Sequence, residues 1–238
     1  MIFSIKSIRY YTLLFILAVF ITAIPETYAE IREDTVNRVE AASTSMHELM
    51  NITDKGIPRS LMERIYGIAI IPNTLKAGFF VGGSYGLGVV SAKDKEGEWS
   101  NPCFITLTSG SIGFQFGAET SNIILVFNSR KSMQELINGS FKLGANASIA
   151  AGPVGRRSEV ATDFSAEVLS YSVTKGIFAG VSLEGAVIAI DKEANGLFYK
   201  DNYKDKTPSA YQILFDSSSW QVDPSAVSLK EVLRKYSK

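Results

Sequence analysis

Two stretches of this 238-residue chain have the residue types and spacing of known chemistry. Gly82-Gly-Ser-Tyr-Gly-Leu-Gly88 fits the Gly-x-x-x-Gly-x-Gly loop that brings backbone against a dinucleotide pyrophosphate, and Tyr171-Ser-Val-Thr-Lys175 fits the Tyr-x-x-x-Lys pair of short-chain dehydrogenases. Such a loop must open a helix whose N-terminus faces the phosphates. Gly88 instead runs into Val89-Val90 and the charged turn Lys93-Asp-Lys-Glu-Gly-Glu98, which is hairpin chemistry. Tyr and Lys four apart meet only on a helix, whereas Ser170 to Thr174 is rich in strand formers. These glycines are therefore expected to permit strand curvature and close backbone approach. Ser172-Val-Thr-Lys175 also matches the Ser-x-x-Lys signature of a serine hydrolase, with Ser172 as nucleophile and Lys175 as base, but the companion Lys-Thr-Gly and Ser-Asp-Asn elements do not occur in the sequence.

Other reactive residues are scarce. The single histidine, His47, sits beside Glu48 in His47-Glu-Leu-Met-Asn51, without the second histidine of a zinc helix, and the single cysteine is Cys103. No zinc site and no histidine-based triad can be assembled from one of each, so neither metal nor cofactor is expected. Asp163 and Glu184 could do acid-base work but are expected to form structural ion pairs. The pair Arg156-Arg157 follows Ala151-Gly-Pro-Val-Gly155, a turn that could offer backbone N–H groups and two guanidinium forks to one anion, with Lys76, Lys142 and Lys175 as further candidates for a lipid headgroup site. The alternative for Arg156 and Arg157 is pairing with Glu159 or Asp163 and simple solvation.

Charge and composition narrow the class. Residues 10–24 are almost purely apolar, follow Lys6 and Arg9, and precede Thr27-Tyr-Ala29, so residues 1–29 are expected to be a secretory signal. The apolar run is shorter than the roughly 20 residues that cross a bilayer. Taking away Lys6, Arg9 and Glu26 leaves 22 basic and 23 acidic side chains in residues 30–238. A chain this close to neutral has no global field to draw it onto nucleic acid. One cysteine excludes an internal disulfide framework, so stability must come from packing.

The periodicities divide the chain. Val36, Val39, Met46 and Met50 recur at helical spacing from Glu30 to Met50, and a second short helix is predicted from Ile57 to Arg64. From Gly67 onward the period shortens to that of strands. Short apolar runs at 67–72, 77–81, 87–92, 103–107, 111–117 and 122–127 are bounded by turn residues, and 18 of the 19 glycines fall between Gly67 and Gly196. A short helix is predicted over 129–138, then strands over 164–173 and 177–190. Asp223-Pro-Ser opens a last helix with Leu229, Val232, Leu233 and Tyr236 on one stripe and Lys230 and Arg234 beside it. That stripe either caps the core or, with its basic flank, contacts a membrane. The fold class is α+β: one domain with a curved, glycine-rich, mostly antiparallel sheet or barrel-like core, N-terminal helices, a short central helix and a C-terminal amphipathic helix.

Several segments resemble the SYLF-domain family, a lipid-binding module of membrane- and actin-associated proteins that also occurs in exported bacterial proteins. They include Lys76-Ala-Gly78 with Val81 to Gly88, Trp99 to Thr108, Gly113-Phe-Gln-Phe-Gly117, Ala150 to Arg156, Phe178 to Gly185 and Asn195 to Tyr199, and the match runs collinearly over about 57–238. The resemblance implies a non-enzymatic protein that associates with phospholipids, phosphoinositides being ligands and actin a partner of some members. This chain departs in two places. It has Tyr171-Ser-Val-Thr-Lys-Gly176 where the family often has a more basic run, and Ser121-Asn122 where Thr-Asp is common. Each lost charge-assisted contact removes roughly 1.5–3 kcal/mol from anion binding, so a less charged phospholipid or an acyl chain is the expected ligand. The expectation is an exported, periplasmic or secreted, lipid-binding protein for which actin is not an expected partner. An envelope protein-docking module is the alternative.

Overall fold

The computed structural model describes residues 24–52, 56–79, 81–112, 117–153, 165–174, 177–179, 183–202 and 207–237. A long helix α1 (Ile24–Asn51) opens it, beginning before the predicted Glu30 and so including residues 24–29 of the expected leader. It is followed by the single turn α2 (Arg59–Met62). Then come β1 (Gly67–Phe79), β2 (Val81–Ala92), β3 (Cys103–Ile112) and β4 (Gly117–Phe127). Next are α3 (Arg130–Ile137), β5 (Ser140–Lys142), β6 (Ile149–Ala151), β7 (Val168–Thr174), β8 (Ile177–Ala179) and β9 (Val187–Ile190). Three helices, α4 (Lys192–Phe198), α5 (Ala210–Phe215) and α6 (Pro224–Ser237), complete it.

The strands form one sheet in the order β5-β9-β3-β2-β1-β4-β7-β6, with β8 also on the outer side of β7. All pairs are antiparallel except β6 with β7. The sheet is thus the mostly antiparallel core expected from the alternation. Residues 77–79 of the run predicted at 77–81 continue the strand of 67–72, because a bulge between Ile71 and Thr74 absorbs the interruption at Pro72-Asn73. Asn73 takes a positive φ of 48°, and its N–H is held by Asn122 Oδ1 at 3.0 Å.

Both faces of the central sheet are covered. Helix α1 buries Val39, Ala42, Met46 and Leu49, and its Arg38 guanidinium lies 5.4 Å from the centroid of the Phe104 ring. Helix α3 lies on the other face, where Met133 closes on Gly67. The helix predicted over 129–138 is α3, capped by Ser129, with Met133 and Leu136 buried. Helices α4 and α5 went unforeseen, although both carry start signals: Asp191 accepts from the Ala194 N–H, and Ser209 with Gln212 forms a capping box.

Candidate functional site

The glycine-rich run 82–88 lies inside the continuous strand β2, with no helix after it, so it cannot seat a pyrophosphate in the dinucleotide manner. At Gly88 a Cβ would collide with the carbonyl oxygen of Ile70 on the neighbouring strand, which is the close approach the sequence suggested. Tyr171 is buried on β7, donates its hydroxyl to Pro153 O at 3.1 Å, and has its pKa pushed well up by desolvation. Ser172 is likewise buried in that strand, not on the helix that would set Ser and Lys three apart on one face, which removes the support for a hydrolase using it. Burial also pushes the Cys103 thiol up to about 12. His47 Nδ1 shares a 2.8 Å hydrogen bond with the Tyr236 hydroxyl, a structural link between α1 and α6.

The packing of the last helix bears on the two roles foreseen for it. Leu229 and Leu233 are fully buried, Val232 and Tyr236 pack against the core, and Arg234 pairs with Glu98. Lys230 lies beside Arg234, and desolvation lowers its pKa. The Leu229/Leu233 stripe of α6 is therefore spent on the domain core, the core-capping role of the two foreseen from sequence.

The cationic candidates divide. Arg156, Arg157 and Lys175 lie outside the described residues, as does Asp163. Lys76 and Lys142 are both exposed, Lys76 on β1 and Lys142 on the edge strand β5. Following the register Lys142↔Val187↔Thr108↔Tyr85↔Leu75 puts Lys142 level with Leu75, one residue short of Lys76, about 19 Å away across four strand spacings. Neighbouring residues on a strand point to opposite faces, so these two lysines do not converge.

What gathers there is apolar. Beyond the bulge, the last five residues of β1 (75–79) pair with the first five of β2 (81–85), and these two segments pair outward with residues 117–120 of β4 and 108–112 of β3, making a four-stranded end to the sheet. Leu75 is 48 % exposed and Tyr85 54 %, and at the same end of the sheet, on β8, Ile177 is 66 % exposed. Sequence reasoning picked the lysines of this region and passed over its apolar residues. The alternation of Leu75, Ala77 and Phe79 with Lys76 and Gly78 was the signal available.

At the opposite end of the sheet a groove of about 1000 Å³ is lined in part by Tyr66, Met133, Ile137, Tyr211 and Phe215. The Arg130 guanidinium sits 5.5 Å from the Tyr66 ring centroid. Lys93 Nζ, also on the wall, donates to the carbonyls of Met62 and Glu63, and desolvation lowers its pKa.

A family described as "Ysc84: Las17-binding protein actin regulator" matches residues 108–236. The chain belongs to the Ysc84 family. This is the SYLF-domain family of the resemblance, now found over more than half of the sequence. Among Ysc84 relatives, Protein YSC84 of Saccharomyces cerevisiae is 37 % identical over 185 residues, covering 76 % of this chain and 38 % of that protein. LAS seventeen-binding protein 3 of Saccharomyces cerevisiae is 40 % identical over 154 residues, covering 63 % of this chain and 33 % of its own length. The human SH3 domain-containing YSC84-like protein 1 is 35 % identical over 187 residues, or 75 % of this chain and 53 % of that protein. The chain thus spans from about a third to about half of the curated relatives it matches. No solved structure matches it. Among the described residues no helix is long and apolar enough to cross a membrane.

Proposed function

We propose that this Ysc84-family chain is a non-enzymatic lipid-binding protein that adsorbs to a membrane surface through the end of its sheet. The observation that carries this reading is the pair of exposed apolar side chains that face each other across β1 and β2 there, Leu75 and Tyr85, in a domain whose other large apolar residues are mostly buried. Exposed apolar area grouped in one place, not scattered singly, marks an interaction surface. Membership of the Ysc84 family supports the reading through the SYLF resemblance. Export is part of the proposal, with residues 1–29 as the leader, and would be checked from the N-terminus of the protein recovered outside the cytoplasm.

The test is co-sedimentation of the chain with phospholipid vesicles. Fully burying a side chain of this size contributes about 1.5–3 kcal/mol. Leu75 and Tyr85 are each about half exposed in water, so replacing both with Ser is expected to cost roughly 2 kcal/mol of adsorption, about 30-fold in partition. A wild-type protein that stays in the supernatant at every lipid composition would sink the reading. One observation favours a second reading, docking of a protein partner. The groove at the other end of the sheet exposes Tyr66, Tyr211 and Phe215, and aromatic residues of this kind are enriched in protein interfaces.

A further inference from the structure

The bulge sorts the end of the sheet into two unlike faces. Ile70 opposes Val89 but Leu75 opposes Tyr85, so β1 carries one extra residue between them. Without it Lys76, not Leu75, would share a face with Tyr85. Cross-strand partners of an antiparallel sheet lie on the same face. Leu75, Ala77, Tyr85, Thr108, Ala118 and Thr120 therefore occupy one face, and all six are exposed. Lys76, Ser84, Ser109, Glu119 and Ser121 occupy the other face, with Lys76 directly opposite Glu119.

The unbroken register of β3 carries Phe104, the ring beneath Arg38 of α1, to the same face as Thr108. The helix layer on that side reaches the base of the sheet end through Glu48 Oε2, which accepts from Asn122 Nδ2 at 2.7 Å. Beyond that point none of the described residues covers the face: a Cβ built on Gly110 would meet nothing within 4 Å. The face carries no formal charge across four strands, and Lys142, in the register row of Leu75 and Tyr85, stands at its margin.

We propose that the lipid contact is this single face, which enters the headgroup–acyl boundary of a phosphatidylcholine-type bilayer while the Lys76/Glu119 face stays in water. The proposal rests on the lipid-binding reading above and names what that site takes: the apolar boundary of a neutral bilayer, not a charged headgroup. Four strands about 4.8 Å apart and five residues of about 3.3 Å give a face of roughly 320 Å². Two copies packed face to face would bury about 640 Å², short of the roughly 1,200 Å² of a stable interface, whereas a bilayer has no such threshold. Lys142 can lay its stem on the apolar margin and extend its ammonium to a phosphate. One cation gives only a shallow salt dependence.

The experiment places tryptophan at two neighbouring positions, Tyr85→Trp and Ser84→Trp, in the full chain. Quenching by vesicles of brominated phosphatidylcholine is then read after subtracting the wild-type signal of Trp99 and Trp220. The Tyr85→Trp signal is expected to be quenched several-fold more than that of Ser84→Trp. Gly110→Leu, which adds a side chain to open space on the face, should raise partition by about tenfold, and Ile177→Ser, at the edge and on the other parity, should leave it near wild type. Equal quenching at both positions, or stronger quenching at Ser84→Trp, in a protein that still sediments with vesicles would overturn the face assignment alone. Absence of sedimentation would overturn it together with the lipid-binding reading. Self-association without lipid, abolished by Leu75→Ser, would overturn it by assigning the face to a second copy.

Discussion

Asn122→Asp is the most informative single change outside the sheet end, because Asn122 joins the bulge to helix α1. Its Oδ1 accepts from the Asn73 N–H at 3.0 Å and its Nδ2 donates to Glu48 Oε2 at 2.7 Å. An aspartate keeps the acceptor for Asn73, loses the donor to Glu48, and sets two carboxylates in contact. The lost hydrogen bond is worth about 0.5–1.5 kcal/mol. Two unit charges about 4 Å apart in water repel by about 1 kcal/mol, and rotation of exposed Glu48 relieves part of that. The expected loss at pH 7 is roughly 1.5–2 kcal/mol, about 3–8 °C in Tm for a domain of this size. Each carboxyl is held above its unfolded pKa by its neighbour, so the folded state keeps its protons longer. The repulsion is therefore mostly absent at pH 4, where the pair is largely protonated in the folded state, and is complete once pH has risen through the folded pKa values. Urea unfolding followed by tryptophan fluorescence at pH 4 and pH 7 reads this directly. Asn122→Ala, which loses both bonds without adding repulsion, is the control. If the two variants lose equal stability at both pH values, or if Asn122→Asp is worse at pH 4, the bridge between Glu48 and the bulge is not what holds Asn122.

Three further outcomes are expected. Asp191→Ala should cost about 3–5 kcal/mol in urea unfolding, because Arg38 NH1 pairs with Asp191 Oδ2 at 2.9 Å where both side chains are largely buried, and its loss strands that guanidinium and uncaps α4. A cost below 1 kcal/mol would mean the pair is solvated. Cys103 should resist a thiol reagent at pH 8 in the folded protein and react promptly in denaturant, since burial pushes its pKa up to about 12 and the thiolate is the reactive form. Gly152→Ala should destabilise by about 2 kcal/mol or more, because its new methyl would collide with the buried Tyr171 ring. Unfolding indistinguishable from wild type would show that the ring can move aside.

Much of the framework was legible because it rests on local physics. Ser129 before an apolar stripe announced α3, Asp223-Pro-Ser announced α6, and the switch to short glycine-bounded runs after Tyr66 announced the sheet. Helix α5 escaped although Ser209 and Gln212 mark its start, because only six helical residues follow and no periodic stripe can develop in so short a run. The stripe and basic flank of α6 left core capping and membrane contact both open, and Leu229 and Leu233 fill the core. An amphipathic stripe states only that something apolar covers it, and whether that is lipid or protein depends on what the rest of the chain leaves open.

The sequence by itself determined that this chain folds by packing without crosslinks, that its central module is a sheet, and that it belongs among the SYLF-like proteins. Composition, period and collinear motif order are all properties of the linear chain. Only the tertiary structure decided which face each strand residue takes. One extra residue at Asn73 reverses every side chain beyond it, and alternation in a single strand has no fixed sign until cross-strand pairing sets the register. For that reason Leu75, Ala77 and Tyr85 come together with Thr108, Ala118 and Thr120 into one uncharged face, while Lys76 is turned away from it.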